Sequence, residues 1–235
     1  MFIAAGPLVA QIRETRVPIE YRGVRVTVMM PENWAAGPFP VQAVPANLKA
    51  EMDSGEYAIW RKDWSWNRSW FRGPLGRLLF DAVLHQEFPL APGRPDNLGF
   101  ERRFDFLNPV ELLQYLEAAQ RHTHRAEHFR YSLVRRNGAI WVRSYLNDKM
   151  HNGIPLAESW FVGLTEDIFL GFDLGVTQEA SNAAGERWLK AALYWQNRMI
   201  DSFTVTGLSQ KLSGAEKLEN WEFPSELKEG VGLVR

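Results

Sequence analysis

Two runs of strand-like period, HFRYSLVRR and AIWVRSYL, are joined by Asn137-Gly138. Few local signals constrain a fold as tightly. Asn-Gly supplies two residues that accept positive φ, and a two-residue turn of that kind forces its flanks to pair antiparallel in one register. A second pair, ESWFVGL and DIFLGFDLGV, is separated by Thr165-Glu166 and reads as another hairpin. Upstream, Val17 to Met30 reads as short strands around a turn at Tyr21-Arg22-Gly23-Val24, and Leu8 to Arg13 as a further strand. The spacing therefore predicts an antiparallel meander.

Helical signals frame it. Asn108-Pro109-Val110-Glu111 places Asn at an N-cap, Pro at N1 and Glu at N3. A helix to about His124 would bury Leu112, Leu113, Leu116 and Ala119. From Ala184 to Phe203, Trp188, Ala192, Trp195 and Met199 form one row with Leu189, Leu193 and Ile200 beside it. After Pro74, Leu75, Leu78, Leu79, Ala82 and Val83 also fall at helical spacing. Leu48 to Met52 reads as a short helix, and NDKMHNGIP as a loop. The expected fold class is α+β: a largely antiparallel sheet with a long C-terminal amphipathic helix packed on it. Residues 1–206 are expected to form a single domain, with 207–235 a polar arm or tail anchored by Trp221 and Phe223. A boundary in the proline-rich stretch near 88–98 is the alternative.

The meander followed by a helix that ends in a strand, IDSFTVT, is loosely similar to the Mog1/PsbP-like group of bacterial envelope and scaffold domains. So is the PENW string, Pro31 to Trp34, after the early strand. The similarity covers about half the chain, and the aromatic segment described next departs from it.

That segment, YAIWRKDWSWNRSWFR (57–72), interleaves four tryptophans with Arg61, Lys62, Arg68 and Arg72. Trp60, Lys62, Trp64, Trp66, Arg68 and Trp70 share parity, so an extended backbone puts all six on one face. Rings with cations between them can stack a sugar, a base or a headgroup. They can equally be core with Arg laid over the rings. Arg130, Arg135, Arg136 and Arg143 gather about the Asn137-Gly138 hairpin as a possible anion site; a solvated strand face is the plain alternative.

The formal net charge is −1, which argues against bulk nucleic-acid binding. Residues 61–143 nevertheless carry 14 Lys and Arg against 9 Asp and Glu, and residues 144–235 carry 8 against 13. A basic middle and an acidic end can pair within one chain or between two.

Enzymatic signals are weak. HRAEH (124–128) has the spacing of an inverted zinc-peptidase motif. It runs straight into a strand pattern where the motif needs helix, so no metal and no cofactor is expected. Asp167 and Asp173 would stand ~20 Å apart on one strand, too far for a glycosidase pair. There is no Cys, no G-x-S-x-G and no phosphate-binding glycine loop. The expectation is a non-enzymatic binding or assembly module using its Trp/Arg-rich surface, with a protein partner, another copy of itself or a sugar chain as ligand. A hydrolase with a cleft beside the aromatic segment is the alternative. No stretch is long and apolar enough to span a membrane. A cytoplasmic location is expected, or a periplasmic or envelope-associated one if a leader was removed.

Overall fold

The computed structural model describes residues 14–31, 65–67, 71–73, 76–86, 103–121, 128–178, 183–212 and 217–222. Two antiparallel sheets carry most of it. β1 (Glu14–Tyr21) and β2 (Val24–Pro31) form a hairpin, and β12 (Thr204–Thr206) pairs with the free side of β2. The larger, eight-stranded sheet runs in the order β13-β6-β7-β10-β11-β5-β3, with β4 also on β5. Its members are β3 (Ser65–Asn67), β4 (Phe71–Gly73), β5 (Gly76–Gln86), β6 (Phe129–Arg136), β7 (Ala139–Leu146), β10 (Ala157–Gly163), β11 (Ile168–Gln178) and β13 (Leu218–Glu219). A small hairpin, β8 (Met150–His151) with β9 (Ile154–Pro155), stands between β7 and β10. Among the described residues there are two helices, α1 (Pro109–Arg121) and α2 (Ala183–Asp201). The fold is thus sheet-rich and antiparallel, with one parallel pair, β13 on β6.

Turn chemistry sets the hairpins. Arg22-Gly23, Asn137-Gly138 and Asn152-Gly153 all have positive φ at both positions, the type I′ geometry that matches strand twist. The last of these corrects the reading of NDKMHNGIP as a loop: its own Asn-Gly closes β8 on β9. A larger correction concerns residues 75–86. The expected helix after Pro74 is strand β5, paired with β11 over its full length from Gly76↔Gln178 to Gln86↔Ile168. Leu78, Phe80, Ala82 and Leu84 also alternate at period 2. A strand covered on both faces reads as a near-continuous apolar run, which helical spacing fits equally well.

The sheet is covered on both faces. One face bears Phe80, Trp141, Trp160 and Phe172, and packs with α2 and the β1-β2 hairpin in one large core. Phe203, just past α2, stacks on Phe172 at 4.6 Å and on Trp141 at 5.1 Å. The opposite face bears Leu133, Ile140, Val142 and Phe169 beneath α1 and Phe106. Helix α1 starts as its sequence requires: Asn108 Oδ1 accepts from Val110 N at 3.0 Å, and Glu111 Oε2 accepts from Asp105 N at 3.0 Å. Gly163 has no room for a side chain, since a Cβ there would lie 1.8 Å from the Phe106 carbonyl oxygen. No helix among the described residues is long and apolar enough to cross a membrane.

Candidate functional site

Strand register aligns a transverse row on the α2 side of the sheet: Ser132, Arg143, Trp160, Phe172 and Ala82. Arg143 is buried within this row. Its Nη2 donates to Glu158 Oε1 at 2.9 Å and its Nε to Glu158 Oε2 at 3.4 Å. The same Glu158 Oε2 accepts from Trp160 Nε1 at 2.9 Å. Tyr145 lies beneath the guanidinium, 4.6 Å from ring centre to Cζ. Burial by itself lowers the Arg143 pKa. The charge and hydrogen bonds of Glu158, then the charges of Glu219 and Tyr145, outweigh it and hold the pKa above its ordinary value.

Onto this platform comes the C-terminal segment. Leu218 pairs with Leu133 and Glu219 with Val134, in parallel along the outer edge of β6. Glu219 Oε1 reaches to 3.6 Å from Arg143 Nη1. Two residues on, Trp221 lies edge-on to Trp160 at 5.6 Å and flat under Arg136, whose Cζ is 4.1 Å from its ring centre. A spacing of two puts Glu219 and Trp221 on the same side of an extended segment. Arg136 is itself held from behind by the Ile200 carbonyl at 3.0 Å and by Asp201. Burial lowers its pKa, with Asp201 opposing that shift.

Both guanidinium groups also have partners outside that segment. Glu158, Trp160, Ile200 and Asp201 fix both guanidinium groups, and the segment adds one carboxylate and one ring. Chemically this is a strand-addition edge with a cationic and aromatic floor, suited to an extended peptide bearing an acidic residue two before an aromatic one.

The four arginines singled out in the sequence do not converge. Arg143 and Arg136 take part here, and their anions are the chain's own Glu158, Glu219 and Asp201. Arg130 is exposed and donates to the Phe129 carbonyl at 3.1 Å. Arg135, also exposed, alternates to the opposite face of β6 from Arg136. Of the tryptophan segment, Trp66 lies in β3 opposite Ala82, while Trp60, Lys62, Trp64, Arg68 and Trp70 lie outside the described residues. The register passes from Asn67↔Asp81 to Phe71↔Leu78.

The zinc-like string is only partly described. His124 and Glu127 lie outside the described residues, and His128 Nδ1 is 3.3 Å from Asp148 Oδ2. Among the described residues no three His, Asp or Glu side chains gather as a metal-holding group. Asp167 sits in the β10–β11 turn, accepting from Thr165 Oγ1 at 2.7 Å, and Asp173 is exposed on β11. The roles of Glu158, Glu219 and Trp160 escaped the sequence reading. The signals were the acidic end of the chain and the Glu-x-Trp spacing at 219–221. No protein-family model matches the chain, and neither the curated proteins nor the solved structures contain a match.

Proposed function

We propose that this protein is a non-enzymatic binding and assembly module whose β6 edge takes up extended, acidic–aromatic segments of protein chains. Its own residues 218–221 are the resident occupant. The observation that carries this reading is the seating of Glu219 and Trp221 on Arg143 and Arg136, two cations fixed by other residues. An edge strand is a template for adding another strand, and among the described residues two positions of β6 are paired on the outer side. The charge division of the sequence fits the same picture, with a basic middle receiving an acidic end. On this reading residues 1–206 form the receptor domain and 207–235 an arm folded back on it.

A labelled peptide of residues 217–222, KLENWE, tests the proposal in the full-length protein. In the wild type the resident segment competes, so uptake is expected to be weak. Trp221→Ala loosens the resident, and fluorescence anisotropy is expected to show saturable binding of the peptide to that variant. Adding Arg136→Gln is expected to abolish it, as is replacing the peptide by KLQNAE. No binding to a folded Trp221→Ala protein, or equal binding of both peptides, overturns the reading.

A further inference from the structure

Two basic side chains share one carboxylate at the end of α2. Arg136 Nη2 pairs with Asp201 Oδ1, and Arg198 Nη1 lies 3.7 Å from Asp201 Oδ2. The two contacts are unequal. Arg198 has a closer partner in β1, the outer strand of the three-stranded sheet. Its Nε donates to Glu14 Oε1 at 3.0 Å and its Nη2 to Glu14 Oε2 at 3.2 Å. A bidentate fork of this kind fixes a guanidinium in direction as well as position. The hydrogen bonds to Glu14 are the largest cause of a raised Arg198 pKa, and the charge of Asp201 is the least.

Arg136 depends more on Asp201. Its side chain is 12% exposed. Burial works against its charge, and Asp201 opposes that shift. The other anchor of Arg136 is the neutral Ile200 carbonyl at 3.0 Å, which compensates a cation less than a carboxylate does. Trp221 lies on that guanidinium at 4.1 Å. A chain of contacts therefore runs through Glu14, Arg198, Asp201, Arg136 and Trp221, from the three-stranded sheet to the β6 edge. Asp201 is its two-state element, because it can serve either guanidinium.

We infer that Glu14 governs how firmly the β6 edge holds an occupant, by keeping Arg198 off Asp201. With Glu14 in place, Asp201 serves Arg136 and Trp221 has a fixed cation to lie on. With Glu14 drawn away or neutralised, Arg198 closes on Asp201, three residues along the same helix. Arg136 is left with a carbonyl alone and turns towards water, so the ring loses its floor. The inference rests on the reading of the β6 edge as a docking site and supplies a regulation for it. A cationic partner that captures Glu14 on β1 loosens the edge from the other sheet.

The chain has no Cys, so Asn220→Cys gives the full-length protein a unique attachment point for a nitroxide. Asn220 is exposed and of opposite parity to Glu219 and Trp221, so a label there points away from them. Electron paramagnetic resonance then reads the ratio of mobile to immobilised label, with Trp221→Ala marking the released state. Glu14→Gln is expected to raise that ratio roughly two- to fivefold, the worth of one stacked cation. Arg198→Gln is expected to leave it at or below the wild-type value. The double variant is expected to match Arg198→Gln, because the competitor for Asp201 is gone. In the Trp221→Ala background, Glu14→Gln is expected to weaken binding of KLENWE by a similar factor, and added Arg198→Gln to restore it. Should Glu14→Gln fail to fold, Glu14→Asp, one methylene too short for the bidentate contact, takes its place. An unchanged label ratio in the folded residue-14 variant overturns the inference. So does an equal rise in that variant and in the double variant, since Glu14 would then be a prop for β1. Failure of KLENWE to bind folded Trp221→Ala overturns the docking reading instead, and the label ratios still decide whether residue 14 controls the resident segment.

Discussion

Glu158 Oε1 lies 2.9 Å from Arg143 Nη2, with the Glu158 side chain 1% exposed and that of Arg143 10% exposed. Two charges so far from water hold each other in place, and removing either leaves the other uncompensated. Glu158→Gln is expected to cost about 3–5 kcal/mol in urea unfolding. The double change Arg143→Met with Glu158→Leu is expected to cost less than the single one, because no orphan charge remains. A double variant less stable than Glu158→Gln would show that the pair is net stabilising.

The resident segment should be held more by its ring than by its carboxylate. Glu219 is 41% exposed and its ion pair is long at 3.6 Å, so Glu219→Ala is expected to cost under about 1 kcal/mol. A double-mutant cycle between Arg136 and Trp221 is expected to give a coupling of about 0.5–1 kcal/mol from the stacked cation. Coupling indistinguishable from zero would mean the contact is incidental.

His85 gives a pH dependence. It stacks on Phe169 at 4.5 Å, and desolvation lowers its pKa from 6.5 to about 4. The unfolded chain then binds a proton that the folded one refuses between those values. Stability should fall as pH drops from about 6.5 to 4, by at most ~3 kcal/mol. His85→Phe keeps the stacked ring and should flatten that part of the profile. An unchanged profile in the variant would assign the pH dependence to other groups.

Gly163→Ala is a backbone clash, since the new Cβ would lie 1.8 Å from the Phe106 carbonyl oxygen. Its cost is expected at or above the top of the ~1–3 kcal/mol range for overpacking. A melting temperature within a degree or two of the wild type would show that the Phe106 loop yields freely.

Leu193 is 1% exposed in the core between α2 and the sheet. Leu193→Ala is expected to cost about 2–5 kcal/mol, read by the same denaturation series. A negligible change would place α2 at the periphery.

Local chemistry made part of this fold legible. Asn108 with Glu111 announces α1, and Asn137-Gly138 fixes the β6–β7 register, because both signals act within a few residues. Residues 75–86 misled because a strand covered on both faces and a buried helix share one apolar composition, and pairing with β11 decides between them. The β6 edge was less legible still. Arg136 and Arg143 stood out as cations, but their partners Glu158, Asp201 and Glu219 come from three other elements. Parallel pairing of β13 leaves no turn signature at all.

The parallel pairing of β13 also orders events in time. β6 is complete at Arg136, yet the strand that closes its outer edge ends at Glu219. At ~5–20 residues per second of synthesis, that edge stays open for roughly several seconds on every nascent chain. Until that segment is made, neither Glu219 nor Trp221 is present to pack on Arg143 and Arg136. The pairing that closes the β6 edge is therefore among the last contacts the chain can make.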